Sequence, residues 1–281
     1  MNDDAAPFSS HAPSPFAAAA LALSRRTGSG RLAALVRSLC YRAAGGPSGG
    51  PFDLEIFGGQ RVRLHPRGNL CEKRVFTSDL HWDDTERDFI AEAAASGTGP
   101  FRFLDVGANV GLYTLWARAA AEEAGRPFRA AVVEPQPEML RRLRFNIEAS
   151  GAASEIKVCP WAATDVAKTL RFGTDGINAG TGRILDGEEA GSYAVEGRPL
   201  LDAVTAAGLD GIDVMKIDVE GAEYPALDAF FRKADPSLLP HAIIIEAGKG
   251  DLDQPPIRLC LAKGYRLAGR GRLNAILVRE A

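Results

Sequence analysis

The chain is expected to be an α/β protein with a doubly wound, Rossmann-like sheet, mostly parallel and ending in an antiparallel C-terminal hairpin. Three observations predict this. Beyond residue 100, short apolar runs ("FRFLDV", "RAAVVE", "EIKVCP", "IDVMKI", "AIIIE") alternate with longer segments of helical periodicity. These runs are apolar throughout rather than at every second residue, as strands covered by helices on both faces must be. The end of the chain, "GYRLAGRGRLNAILVRE", replaces that rhythm with two strand-like pieces across "GRG", which reads as a hairpin adding an antiparallel strand.

In chain order, residues 1 to about 28 are rich in Ala, Pro and Ser and show no core pattern, so they are expected to be disordered. "GRLAALVRSLCYRAA" places Leu32, Leu35, Val36 and Leu39 at helical spacing. This short amphipathic helix could cover the domain, a partner or a membrane surface. Few basic residues accompany it, so packing on the domain is the expectation. "AGGPSGGP" follows as a linker. "FDLEIF" and "QRVRLHP" form a hairpin across "GG", and "DLHWDDTERDFIAEAAASG" forms a helix closed by Gly97. Further helices are expected around residues 111–124, 137–150, 199–207, 222–233 and 255–263. The chain thus divides into a tail with a short helix (1–50), a hairpin and helix covering the site (51–98), and the sheet domain (99–281). The polar, Gly-rich insertion "GTDGINAGTGRILDGEEAGSYAVEG" reads as a mobile lid.

A net charge of −3 over 281 residues gives no footing for a nucleic-acid binder. The run Arg141–Arg144 reads as the solvated face of a helix. Cys40, Cys71, Cys159 and Cys260 lack metal-ligand or disulfide spacing and suit a reducing compartment. No apolar stretch is long enough for a transmembrane segment. In "FAAAALALSRR" the arginines follow the apolar run, the reverse of a secretory signal. A cytoplasmic protein is expected.

The chemistry-bearing stretch is "FRFLDVGANVGLYT". Asp105 closes the first strand, and Gly107, Asn109 and Gly111 follow. Glycines here let the backbone turn sharply and come close to a ligand. The helix opening near Gly111 presents N–H groups that suit a carboxylate or phosphate. The dinucleotide pattern G-x-G-x-x-G is absent, since the run is G-A-N-V-G. Glu134 ends the next strand, roughly twenty residues on, where an acid can accept bonds from ribose hydroxyls. Asp105 would oppose a pyrophosphate but suit an ammonium group beside a free carboxylate, the methionine half of S-adenosylmethionine. Without such a ligand, Asp105 would read as a cap on the helix.

The four stretches "FLDVGANVGLYT", "VVEPQPEMLRRLRFNI", "WAATD" and "VMKIDVEGAEYPAL", in this order and spacing, resemble the FkbM family of S-adenosylmethionine-dependent methyltransferases over roughly residues 80 to 278. "KIDVEGAE" is the most specific piece. "WAATD" stands where the family more usually has Ala-Leu-Ser-Asp. The resemblance implies a class I methyltransferase sheet of seven strands with the last antiparallel. It also implies methyl transfer to a hydroxyl on a sugar, glycolipid or polyketide-type acceptor. By the same resemblance Asp105, Gly107, Asn109 and Gly111 line the methionine end, Glu134 takes the ribose, and the turn at Trp161 and Ala162 lies by the adenine.

In open α/β sheets ligands bind beyond the carboxyl ends of the strands. Asp218, Glu220 and Glu223 follow the strand "IDVMKI" there, and Glu246 ends "AIIIE". Methyl transfer to a hydroxyl requires alignment, exclusion of water and removal of a proton. Asp218 and Glu220 are the candidate catalytic carboxylates, two apart and on one face of a continuing strand. Glu220 and Glu223 can also be read as helix-start acids favouring the dipole. His81 and His241 stand alone and read as structural, with His81 the better outsider. Trp82 beside it could stack on a sugar or belong to the core. Carboxylates near an acceptor hydroxyl could hold Mg²⁺, but no ligand set is predicted. Two rivals are a nucleotide-cofactor oxidoreductase, disfavoured by the missing glycine pattern, and a non-catalytic binding protein on the same fold.

Overall fold

The computed structural model describes residues 6–28, 30–174, 182–185, 192–248 and 252–280. The N-terminal part is not a disordered tail. Helix α1 (Pro15–Arg25) starts at Ser14, whose hydroxyl accepts the Ala17 N–H at 3.2 Å. Pro15 fits the first turn, and the alanines that resemble a low-complexity run are the strongest helix formers. Ala17, Leu21 and Ser24 are buried. Upstream, the His11 carbonyl accepts the Asp53 N–H at 2.9 Å, and Arg63 donates to the Ala6 and Pro7 carbonyls. Arg63 is itself buried against Asp53 at 2.7 Å, so the tail satisfies donors that would otherwise be stranded.

Helix α2 (Arg31–Ala43) also departs from expectation. Of its residues only Cys40 is buried, while Leu32, Leu35 and Leu39 are 76%, 58% and 56% exposed. The apolar stripe predicted to pack on the domain faces outward instead.

Strands β1 (Phe52–Ile56) and β2 (Gln60–Leu64) form the expected antiparallel hairpin. Helix α3 (Leu70–Ser78) follows, where sequence periodicity predicts nothing. Asn69 caps it, its side chain accepting from the Cys71 and Glu72 N–H groups. A short 3-10 turn (Asp79–His81) leads to α4 (Asp84–Ser96), which ends at Gly97 as expected.

Then come β3 (Phe101–Val106), α5 (Leu112–Glu123), β4 (Phe128–Val133), α6 (Pro137–Ala149), β5 (Ile156–Cys159) and the two-residue β6 (Ala162–Ala163). Strands β7 (Lys168–Thr174), β8 (Gly182–Leu185) and β9 (Tyr193–Arg198) precede α7 (Leu200–Ala207). The chain closes with β10 (Val214–Ile217), α8 (Glu223–Lys233), β11 (Ala242–Glu246), α9 (Pro255–Ala262), β12 (Tyr265–Arg270) and β13 (Asn274–Arg279).

The main sheet has seven strands in the order β12-β13-β11-β10-β3-β4-β5, with β11, β10, β3, β4 and β5 parallel. Strand β13 pairs antiparallel with β11, and β12 with β13. This is the class I methyltransferase arrangement. Alternate residues of each strand enter opposite layers. Phe101, Phe103, Val132, Val214 and Ile244 pack under α4, α5 and α6, whereas Leu104, Val106, Val133, Met215 and Ile245 pack under α7, α8 and α9.

The chain winds outward from β3 to β5 and then returns to place β10 on the other side of β3. A crevice therefore opens at the carboxyl ends of β3 and β10, where the connections part. A second sheet, β6-β9-β7-β8, flanks it. The insertion read as a lid contributes β8 and β9 to that sheet, and its residues 175–181 and 186–191 lie outside the described residues. Among the described residues no helix is long and apolar enough to cross a membrane.

Candidate active site

The crevice holds a cleft with about 270 Å³ of water-accessible space. Its floor is the glycine loop between β3 and α5. Gly107 (φ +80°) is required by a close approach, but not of a ligand: a Cβ there would lie 1.9 Å from the Asp218 carbonyl oxygen. Gly111 (φ +86°) caps α5, and a Cβ there would lie 2.6 Å from Leu143 Cδ1 of α6. The space expected for a ligand beside these glycines is filled by the protein itself. Gly107 lines the cleft with its backbone, and Gly111 does not line it. Asn109 lines it in left-handed conformation (φ +52°), its side-chain oxygen accepting from the Asn69 amide at 2.9 Å.

Glu134 is buried just past β4 and ties this loop. One carboxylate oxygen accepts the Asn109 N–H at 2.9 Å and the other the Gln136 N–H at 2.8 Å. Each oxygen keeps a second lone pair for a hydroxyl in the cleft. Burial pushes its pKa up to about 7, against the pull of these two N–H groups.

Asp105 is fully buried at the end of β3. Its Oδ2 accepts from the Thr114 hydroxyl at 2.6 Å, while Oδ1 has no hydrogen-bond partner. Burial raises its pKa, with nearby Lys216 pulling it back. Lys216, which sequence reasoning missed, is the buried cation of the site. Its ammonium lies 3.0 Å from Asp218 Oδ2 and over the Tyr113 ring. Burial works to lower its pKa, but the attraction of Asp218 and Asp105 outweighs this and raises it. The signal was present in the sequence, since a lysine inside the otherwise apolar strand "VMKI" must be compensated where it is buried.

Beyond β10 the strand does not continue. Glu220 turns into left-handed backbone (φ +53°), so the expectation that it shares a strand face with Asp218 fails, although both line the cleft. Glu223 is a local cap: its two carboxylate oxygens accept the Val219 and Gly221 N–H groups, each at 3.0 Å. Glu246, half-buried at the end of β11, also lines the cleft. Burial, then the charges of Asp218, Glu220 and Glu223, push its pKa up to about 7.

The far end of the cleft is walled by the segment from Asn69 to Asp83, including Leu70, Cys71, Arg74 and Trp82. Trp82 is core and wall at once. It is 1% exposed, stacks on Phe57 and meets the Tyr113 ring edge-on. The Tyr113 hydroxyl donates to Asp83 at 3.0 Å. Ala162, with Ala163, lines the opposite end, whereas Trp161 packs in the core with the Arg198 guanidinium 4.8 Å above its ring. His81 is exposed and contacts the Thr27 carbonyl, and His241 is exposed below β11, so neither lines the cleft.

The charged lining is lopsided. Asp83, Asp105, Glu134, Asp218, Glu220 and Glu246 face two cations, Arg74 and Lys216. Such a cleft favours a cationic ligand and opposes an anionic one.

The strand order is that of the class I methyltransferase fold. The model of the methyltransferase FkbM domain matches residues 105–267, and the chain belongs to that family. No curated protein matches the chain. Among solved structures it is similar to an FkbM methyltransferase from Methylobacillus flagellatus KT (16% identity, TM-score 0.44, 71% of this chain and 51% of that one). It is also similar to a precorrin-6y C5,15-methyltransferase from Geobacter metallireducens GS-15 (13%, TM-score 0.42, 71% and 97%). A third likeness is to an O-methyltransferase from Bacillus cereus in complex with SAH (13%, TM-score 0.40, 70% and 81%). The chain spans about half the length (51%) of the Methylobacillus flagellatus protein.

Proposed function

We propose that this chain transfers a methyl group from S-adenosylmethionine to a hydroxyl of a small-molecule or glycan acceptor. The observation that carries the reading is the excess of carboxylates around the cleft, which suits a ligand bearing a sulfonium and an ammonium. When bound, S-adenosylmethionine supplies an electrophilic methyl group. Asp105, whose buried Oδ1 lacks a partner, would hold the ammonium. Glu134 would accept the ribose hydroxyls while keeping its grip on the loop. Ala162 and Ala163 would flank the adenine.

The chain's own part in the reaction follows from the same residues. Trp82 and Tyr113 form an apolar wall that excludes water, which strengthens every charge interaction inside. Asp218, Glu220 and Glu246 stand at the strand ends as candidate acceptors of the hydroxyl proton. Lys216 holds Asp218 in place by an ion pair at 3.0 Å. Among the three, Glu246 is best matched to a general base at neutral pH, since its pKa is near 7.

A nucleotide-cofactor oxidoreductase would bring a pyrophosphate into this acidic cleft, which its charges oppose. Titration calorimetry with S-adenosylhomocysteine and with NAD tests the reading. Binding of the first and not the second is expected, and the reverse overturns it. Labelled S-adenosylmethionine with a cell extract should then give products whose methyl sits on oxygen. Methylation confined to nitrogen or carbon would overturn the hydroxyl assignment.

A further inference from the structure

The outward-facing stripe of α2 has a charge pattern that says what covers it. Residues 15–50 contain Arg25, Arg26, Arg31, Arg37 and Arg42 and no acid, whereas the whole chain has net charge −3. The rest of the molecule is therefore acidic, and this segment is its basic pole. Leu32, Leu35 and Leu39 lie three and four residues apart, on one side of the helix. Arg26, Arg31 and Arg42 form no ion pair among the described residues, while Arg37 is tied to Thr27 and Gly28. On α1, Phe16 and Leu23 add 72% and 55% exposed apolar side chains seven residues apart.

We propose that α2 docks on a membrane surface rich in anionic lipid. Leucines on one face of a helix, accompanied by arginines without acids, are the pattern of an interfacial helix, with apolar burial and attraction to lipid charge acting together. The stripe is too short and too polar around its edges to be a span, and the basic excess is what a basic or neutral surface would waste.

A second observation connects this face to the active site. A cavity of about 370 Å³ opens between α2 and α3, lined by Arg37, Lys73, Arg74, His81 and Arg272 together with Asp83, Asp84 and Glu86. It shares Leu70, Arg74 and Asp83 with the main cleft. A hydroxylated headgroup at the surface thus has a route of mixed charge to the cleft, with four Arg or Lys side chains and three carboxylates along it. That route rests on the function proposed above, but docking does not, and vesicle binding needs no cofactor.

The test is co-sedimentation of the full chain with vesicles of phosphatidylcholine alone or with about one third phosphatidylglycerol. Binding to the anionic vesicles should exceed binding to the neutral ones by about tenfold or more. A Leu32→Ser/Leu35→Ser/Leu39→Ser variant and a separate Arg31→Gln/Arg42→Gln variant should each lose about tenfold. All of these residues are exposed or unpaired, so unchanged thermal unfolding would show that both variants fold. Failure of the wild type to sediment with anionic vesicles overturns the proposal, as does undiminished binding in the folded variants. Light scattering without vesicles supplies the remaining outcome. A dimer that the leucine variant abolishes would mean that a second copy covers this face, and would also overturn it.

Discussion

Lys216 stands opposite Asp105 in the register of the parallel pair β10 and β3, two oppositely charged side chains sharing one layer at the floor of the cleft. Both are buried, and Lys216 also holds Asp218 at 3.0 Å. The Lys216–Asp218 ion pair, with the charge of Asp105 nearby, sets the electrostatics of the site before any ligand enters.

Replacing the cation should therefore be costly. Lys216→Met keeps much of the side-chain bulk but breaks the contact with Asp218 and takes the nearby cation from buried Asp105, and stranding a buried charge in this way costs about 3–5 kcal/mol. The penalty should shrink as pH falls, because an unpaired buried Asp105 has its pKa raised further and takes up a proton. Urea unfolding at pH 8 and pH 5.5 measures both. Equal losses at the two pH values would mean that the lysine contributes packing rather than charge.

The two loop glycines should respond differently to alanine. At Gly107 the new Cβ would meet the Asp218 carbonyl 1.9 Å away, a backbone atom that cannot yield without separating the loop from β10. At Gly111 it would meet the tip of the Leu143 side chain at 2.6 Å, which can rotate. Both positions also carry positive φ. Gly107→Ala should cost about 3 kcal/mol or more and Gly111→Ala about 1–2 kcal/mol. Denaturant midpoints decide the order.

Much of this was legible in the sequence, and the failures have identifiable causes. The parallel strands were readable because their burial on both faces makes them continuous apolar runs. Helix α3 was not: it spans nine residues, too few for periodicity to show, and its signal is the Asn69 cap rather than a stripe. Alanine-rich α1 reads as a tail by composition, which cannot tell a low-complexity run from a helix with a Ser-Pro start. Asp105, Asn109, Glu134 and Asp218 do meet in one cleft. Glu223 resolved into a cap and Glu220 left its strand face, because a left-handed residue breaks the period of two on which the expectation rested. The glycines were recognised, but what occupies their missing Cβ space depends on distant chain segments.

Glu134 ties the loop and is the proposed ribose acceptor, so its variants should separate two contributions. Glu134→Ala strands the Asn109 and Gln136 N–H groups and removes both candidate ribose acceptors, and should weaken S-adenosylhomocysteine binding by about 1–3 kcal/mol. Glu134→Gln keeps one carbonyl acceptor and should lose less. Unchanged affinity in the alanine variant would remove Glu134 from the ribose site.

Affinity for S-adenosylmethionine should rise with pH. Glu134 and Glu246 have pKa values pushed up to about 7, so near neutrality each is partly protonated. A cationic ligand favours their ionised forms, and binding therefore releases protons. Affinity should increase by about tenfold from pH 6 to pH 8 and then level off. Without ligand the sign reverses for stability. Between the ordinary value of 4.5 and about 7 the folded chain holds protons that the unfolded chain has released, so this contribution falls as pH rises through that window. Calorimetry in buffers of different ionisation enthalpy reads the proton release directly. A flat affinity profile would mean that neither carboxylate feels the ligand.

The proton acceptor is the last assignment to test, and three carboxylates compete for it. Asp218 is engaged by Lys216 at 3.0 Å, which favours a role in orienting groups. Glu220 is exposed and sits on left-handed backbone. Of the three, Glu246 combines a place in the cleft, partial burial and a pKa pushed up to about 7 by that burial and by its three acidic neighbours. Glu246→Gln should therefore lower saturated turnover by about 10²–10⁴-fold while sparing affinity for S-adenosylhomocysteine. The acid limb of the turnover profile, expected near pH 7 in the parent, should vanish with it. Asp218→Asn removes the partner of Lys216 and should lower affinity and stability together, with a smaller effect on saturated turnover. Glu220→Gln should lower the pKa of Glu246 by removing one of those neighbours, shifting the acid limb to lower pH. If saturated turnover survives Glu246→Gln but collapses in Asp218→Asn or Glu220→Gln, the base lies at the end of β10 instead.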